Sequence, residues 1–319
     1  MRVLITGITG FVGSHMAEYS LKKPGVEVFG ISRWRSPLDN IRGILHDVNL
    51  VHCDLRDESS VANMIGETKP DWIFHLAAQS YVTTSFSAPR DTIEVNIIGT
   101  LNLLEAIRRS GTTPMIHICS SSEVYGQVNE NELPITENNP LRPQSPYALS
   151  KVGEDLLSYQ YYRSYGLKTI RTRAFTHTGP RRGEVFVCSA FAKQIAEIEK
   201  GKNTTVLKVG NLDSVRTFLD VRDIVRAYWL TLEKCQVGEV YNIGGAETMT
   251  IRQMLNMLLD ISPMRGHIEI TTDPRLFRPS DVTLQIPSTE KFRNQTGWAP
   301  EIPFRKTLED LLNYWREKV

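Results

Sequence analysis

Tyr147 and Lys151 stand four residues apart in Tyr-Ala-Leu-Ser-Lys, directly after Pro146. On a helix that spacing puts the phenol and the ammonium on one face, and proline is well suited to the first helical position. An ammonium beside a phenol favours the phenolate, so this tyrosine can exchange a proton at neutral pH although a free phenol ionises near about 10. Upstream, Met115–Ser122 reads as a buried strand ending in three serines, followed by Glu123. A hydroxyl there can face the tyrosine. Near the start, Gly7, Gly10 and Gly13 form a GxxGxxG turn in TGITGFVG, with Thr9, Phe11 and Val12 between them. It follows a strand pattern and opens a helix pattern, which is the setting in which bare backbone approaches a pyrophosphate and a helix N-terminus receives it.

The end of the second strand bears on the choice of dinucleotide. An Asp or Glu about 20 residues after the glycines would hold a ribose 2′-hydroxyl. Here the chain reads Gly-Ile-Ser-Arg-Trp-Arg-Ser over residues 30–36, so Arg33 and Arg35 replace the acid. A guanidinium grips a 2′-phosphate that a carboxylate would repel, which points to NADP; two solvated loop arginines are the competing reading. Asp54-Leu55 ends the third strand, where the carboxylate could accept from the adenine amino group or simply shape a turn. Leu76-Ala77-Ala78 ends the fourth, and small residues there let the backbone pass close to the cofactor.

The elements that must position these residues alternate through the first half. Strand-like runs fall at Val3–Thr6, Val26–Ile31, Asn49–Cys53, Trp72–Leu76, Met115–Cys119 and Lys168–Thr172, with amphipathic stretches such as Glu58–Glu67 and Asp91–Ser110 between them. Near-continuous apolar strands separated by helices predict an α/β fold, a Rossmann-type doubly wound parallel sheet. After about Phe175 the alternation breaks down. Two strand-like returns (Thr205–Val209, Glu239–Ile243) mix with helical patterns at Ala190–Lys200, Val221–Leu232, Ile251–Leu259 and Leu308–Lys318, and prolines punctuate the last quarter. The expected organisation is a nucleotide-binding domain over 1–175, also receiving elements from about 211–245, and a smaller mixed α/β substrate lobe over 176–319.

Bulk properties exclude other classes. A chain of 319 residues with 41% hydrophobic and 23% charged residues is ordinary for a globular protein, and a net charge of +1 argues against nucleic acid or an anionic membrane as partner. No apolar run approaches the roughly 20 residues of a membrane helix. The first residues enter a strand with no signal-peptide pattern, and Cys53, Cys119, Cys188 and Cys235 are scattered without a CxxC pair. They read as reduced core thiols of a cytoplasmic protein, not as a metal or disulfide framework.

Glycine turn, serine-ended fifth strand and YxxxK helix, in that order, resemble the extended short-chain dehydrogenase/reductase family over essentially the whole chain. Within it the segments TGITGFVGSH, HLAAQSYV, CSSSEVYG, RPQSPYALSK, GPRRGEVFV, VGNLDSVRTFLDVRD and DPRLFRPSDV are most similar to GDP-mannose 4,6-dehydratases and to the GDP-4-keto-6-deoxymannose reductases beside them. The resemblance implies a GDP-sugar substrate, NADP, and a homodimer or dimer of dimers. It gives Ser121 the hydroxyl that polarises the C4 oxygen, Tyr147 the C4 hydroxyl proton, Lys151 the cofactor ribose, Glu123 the C5 proton and Ser122 a relay to the hydroxyl leaving C6. It assigns the substrate's pyrophosphate to Arg216 and Arg278, and the sugar-nucleotide side to Ser85, Thr176 and Val187, with Asn96 shaping the active-site helix. His177 reads as structural.

Two departures weigh on the dehydratase. Thr176 stands where the family has an asparagine that contacts substrate, and Ala190 where dehydratases carry a phosphate-binding lysine. The chain is also shorter than typical dehydratases. An NADPH-dependent 4-keto reductase therefore stays open, as does a non-catalytic NADP-binding regulator, which would be expected to lose the tyrosine or the lysine.

Overall fold

Val3 and Ile5 pack on one side of the first strand and Leu4 on the other, and all three are fully buried. A strand apolar on both faces needs cover on both. The computed structural model, which describes residues 1–319, provides it with a seven-stranded parallel sheet between two helical layers. In chain order the elements are β1 (Arg2–Thr6), α1 (Phe11–Leu21), β2 (Glu27–Ser32), β3 (Asn49–His52), α2 (Glu58–Thr68), β4 (Trp72–His75), α3 (Val82–Ser87), α4 (Pro89–Ile93), α5 (Gly99–Ser110), β5 (Met115–Ser121), α6 (Pro146–Tyr165) and β6 (Lys168–Ala174). There follow β7 (His177–Thr178), α7 (Val187–Glu199), β8 (Val206–Val209), β9 (Val215–Thr217), β10 (Leu219–Asp220), α8 (Val221–Lys234), β11 (Val240–Ile243) and β12 (Thr248–Thr250). The chain ends through α9 (Ile251–Ile261), β13 (Glu269–Thr272), β14 (Leu284–Gln285), α10 (Glu290–Thr296) and α11 (Phe304–Lys318).

The sheet order is β11-β6-β5-β4-β1-β2-β3. From β1 the chain winds outward through β2 and β3, then returns to β4 on the other side. Strand order reverses there, and the crevice at the C-terminal ends of β1 and β4 is where such sheets bind ligands. On one face α1 and α8 bury Met16, Ile224 and Tyr228 with Val3, Ile5 and Phe74. On the other α2, α5 and α6 bury Val61, Leu104 and Tyr161 with Leu4, Ile73 and Ile116.

Two features of the later chain position the site. α8 packs on the large sheet and β11 becomes its edge strand. α7, α9 and α11 instead close a separate core around Ile195, Leu255 and Leu308. Between these parts β9 pairs with β12 and with β14, in a register that sets Gln285 opposite Arg216. The stretch Asp91–Ser110, expected as one helix, is α4 and α5 joined by a π-helical turn at Glu94–Ile98. Asn96 sits in that turn, and its side chain bonds both backbone groups of Gln79 and the Ser150 hydroxyl. No helix is long and apolar enough to cross a membrane.

Candidate active site

A cleft of about 540 Å³ opens along the C-terminal edge of the sheet. Its nucleotide end is built from the glycine turn. Gly7 has φ +73°, and a Cβ there would lie 2.9 Å from the Ala77 Cα; a Cβ at Gly13 would lie 2.1 Å from the Gly7 carbonyl oxygen. Side chains at either position would push α1 off β1 and the loop after β4. α1 starts at Gly10 without a side-chain cap, so its first-turn N–H groups are left for an anion. Thr9, Phe11 and Val12 line this end of the cleft, as do Leu76, Ala77 and Ala78 on the facing loop.

Arg33 reaches the cleft, with Asp54 and Leu55 beside it. Asp54 is committed elsewhere: its carboxylate takes Arg56 Nη2 at 2.7 Å and Nε at 3.1 Å, and the Arg56 hydrogen bond holds it below the usual carboxylate range. Arg35, by contrast, lies outside the main cleft. It has φ +63°, its guanidinium lies 5.9 Å from the Trp34 ring, and it lines an adjoining recess that Arg33 and Arg56 share.

The chemical end is set by β5 and α6. Ser145 caps α6, accepting the Ala148 N–H at 3.0 Å, and Pro146 occupies the first turn. That fixes the helical phase that turns Tyr147 and Lys151 into the cleft. Ser121, at the end of β5, accepts the Glu123 N–H at 3.2 Å, which leaves its own O–H free to donate. Burial pushes the Tyr147 phenol up, and Lys151 first, then Ser121, pull it back. Lys151 Nζ donates to the Cys119 carbonyl at 2.8 Å and to Glu154 Oε2 at 2.7 Å. Ser122 and Glu123 line the same cleft, joined by an amide from the far side: Ser122 donates to Gln285 Oε1 at 3.3 Å, and Gln285 Nε2 donates to Glu123 Oε1 at 3.4 Å.

Arg216 is buried beside them. Its Nη2 donates to the Val282 carbonyl at 2.7 Å and its Nη1 has no partner. Desolvation lowers its affinity for the proton, while Glu123 and Asp281 favour the charge. Arg278, which makes no ion pair, lines the cleft beside it, as do Thr176 and Val187. Two guanidiniums with unused donors in one cleft could hold a phosphorylated ligand. Two expected residues are not part of it. Ser85 is fully buried and gives its hydroxyl to the Val82 carbonyl at 2.6 Å. Asn96 is also buried away from the cleft, and it acts on α6 through Ser150.

Among the cleft residues that sequence reasoning did not single out as site residues, Gln285, Arg182 and His177 bear on its chemistry. Gln285 lies on a two-residue strand in a stretch that reads as loop, and no local signal marks it. Arg182, in the GPRRGEVFV segment, has no ion-pair partner; it lies 3.4 Å from the Phe186 ring centroid and 5.0 Å from that of Phe11. Burial brings its pKa down to about 10, so an anionic ligand would relieve it. His177 also lines the cleft, stacked on Phe11 and donating its Nδ1–H to the Phe175 carbonyl at 2.9 Å; burial lowers it to about 4. The glycine cradle, the uncapped α1 and the unpaired Arg182 fit a dinucleotide.

A family model described as GDP-mannose 4,6 dehydratase matches residues 4–311. A GDP-6-deoxy-D-mannose reductase of Pseudomonas aeruginosa is 33% identical over 318 residues, covering 100% of this chain and 98% of its own. A GDP-mannose 4,6-dehydratase of Yersinia enterocolitica is 34% identical over 349 residues, covering 98% and 92%. The solved structure of RMD from Pseudomonas aeruginosa complexed with NADPH superposes with a TM-score of 0.86 at 33% identity, covering 100% of this chain and 99% of that one.

Proposed function

Since the chain belongs to the GDP-mannose 4,6-dehydratase family, we propose that it converts GDP-D-mannose to GDP-4-keto-6-deoxy-D-mannose, with one NADP used and regenerated in each turnover. The observation that carries this reading is Glu123, a carboxylate in the same cleft as Ser121, Tyr147 and Lys151 and held there by the Gln285 amide. A nicotinamide bound in the cleft would supply the hydride chemistry, which links C4 of the sugar to C6. The protein's part is proton traffic. Tyr147, with Lys151 beside it, takes the C4 hydroxyl proton, and Ser121 donates to the C4 oxygen. The C4 ketone acidifies C5–H; Glu123 takes that proton and returns it to C5 when C6 receives hydride. Ser122 relays a proton to the hydroxyl leaving C6, which departs as water; that proton balances the one Tyr147 takes from C4. Arg216 and Arg278 take the substrate's pyrophosphate, and Arg33 with Arg35 favours the 2′-phosphate of NADP over NAD.

Glu123→Gln tests the reading, because it keeps size and hydrogen bonding but removes basicity. The variant should oxidise C4 yet retain water, so NADPH accumulates on the enzyme and exchange of C5–H with solvent is largely abolished. Normal turnover by the variant would remove Glu123 from the mechanism.

One observation favours a second reading, reduction of the 4-keto sugar by NADPH. The chain matches the reductase almost residue for residue in length, whereas its alignment with the dehydratase runs to 349 residues against 319 here. A reductase needs no base at C5, so there Glu123→Gln should leave turnover within about tenfold of wild type.

A further inference from the structure

Lys151 is paired inside the protein before any ligand enters. Its side chain is 4% exposed, and two of its three hydrogens are committed, to the Cys119 carbonyl and to Glu154 Oε2. Glu154 lies one turn along α6 at i+3 and is 1% exposed; burial pushes its carboxyl up to about 7 against the pull of Lys151, so it carries its charge over the alkaline range in which a phenol ionises. Its second oxygen, Oε1, has no hydrogen-bond partner and stands 3.9 Å from His75 Nε2 on β4. The neighbouring acid is not available to Lys151. Asp155 takes Arg171 Nη1 at 3.0 Å and Arg173 Nε at 2.9 Å. Nor does His75 compete with Lys151 for Glu154, being held between Thr6 and Thr100 and kept neutral by burial and by Lys151. His117, the next buried histidine, is neutral for the same reasons, burial foremost.

We propose that Glu154 is a positioning residue for Lys151: it fixes the ammonium, offsets its charge, and so sets the pH at which Tyr147 ionises. The inference rests on the proton exchange at Tyr147, which dehydratase and reductase readings share. An ammonium alone favours a nearby phenolate, but an ammonium bonded to a carboxylate presents mainly a dipole and acts more weakly. Cys119 and Glu123 also face Tyr147, and both push its ionisation upward. With the Glu154 charge removed, the full field of Lys151 falls on the phenol. Tyr147 must then ionise at lower pH.

The test is a pH titration of the NADP-loaded protein, read by the ultraviolet difference absorption of tyrosinate. Subtracting Tyr147→Phe isolates the one phenol, and the absence of sugar separates the result from the identity of the reaction. Glu154→Gln should move the Tyr147 ionisation down by about one pH unit. Glu154→Asp, which retains the charge, should titrate close to wild type. If Glu154→Gln does not accumulate as folded protein, Glu154→Leu, of similar volume and without charge, should give the same downward shift. An unchanged titration in the uncharged variant, or an equal shift in Glu154→Asp, would overturn the proposal. A merely structural role would lower thermal stability and leave the titration in place.

Discussion

At the scale of single residues, the proposed chemistry divides the site into groups that act by proton transfer and groups that act by charge. Tyr147 belongs to the first. Tyr147→Phe should cut turnover by on the order of a hundredfold or more while NADP binding, measured by fluorescence titration, stays nearly intact. Near-normal turnover would mean that another group exchanges the C4 proton. Arg33 belongs to the second. Wild type should bind NADP(H) over NAD(H) by at least about tenfold, roughly 1.4 kcal/mol, and Arg33→Ala should shrink that margin. Equal affinity of the wild type for both would refute the role given to the arginines. Arg216 carries an unpartnered donor already buried. Arg216→Ala should therefore weaken GDP and GDP-sugar binding together by about 1.5–3 kcal/mol, measured by calorimetry. The residues with local signatures were legible in the sequence: a glycine turn after a strand, and a phenol and an ammonium at helical spacing. Gln285 and Glu154 were not. The first matters only because β14 lies beside β9, and the second because folding buries it against Lys151 with Asp155 already taken.

At the scale of elements, precision comes from starts and stops. Ser145 sets where α6 begins, and hence which way Tyr147 faces. Ser145→Ala should cost about 1 kcal/mol of unfolding free energy, read from urea denaturation, through loss of the bond to Ala148. Gly13 sets how closely α1 meets β1. Gly13→Ala places a methyl in contact with the Gly7 carbonyl and should both weaken NADP binding and destabilise the fold by about 3 kcal/mol, the upper end for overpacking. The strands of the large sheet and the long helices could be read from apolar runs and helical periodicity to within a few residues, because each is long enough to carry a pattern. The break of the Asp91–Ser110 helix at Asn96 could not, since it depends on hydrogen bonds to Gln79 and Ser150, far away in sequence. Short strands such as β7, β10, β12 and β14, of two or three residues, carry no period at all.

At the scale of the whole molecule, the cleft is walled by the large sheet on one side and by residues from α7, β9 and β14 on the other. A ligand that touches both walls binds the folded chain and not the unfolded one, so NADP at a hundred times its dissociation constant should stabilise the protein by about 2.7 kcal/mol. The reaction performed in that cleft is read by incubating the wild-type protein, loaded with NADP and given no reductant, with GDP-mannose and weighing the sugar nucleotide by mass spectrometry. The expected result is loss of one water and a 4-keto product, with no net change in NADPH. No reaction under those conditions, together with NADPH consumption on the 4-keto-6-deoxy sugar, would contradict it and assign the chain to the reductases.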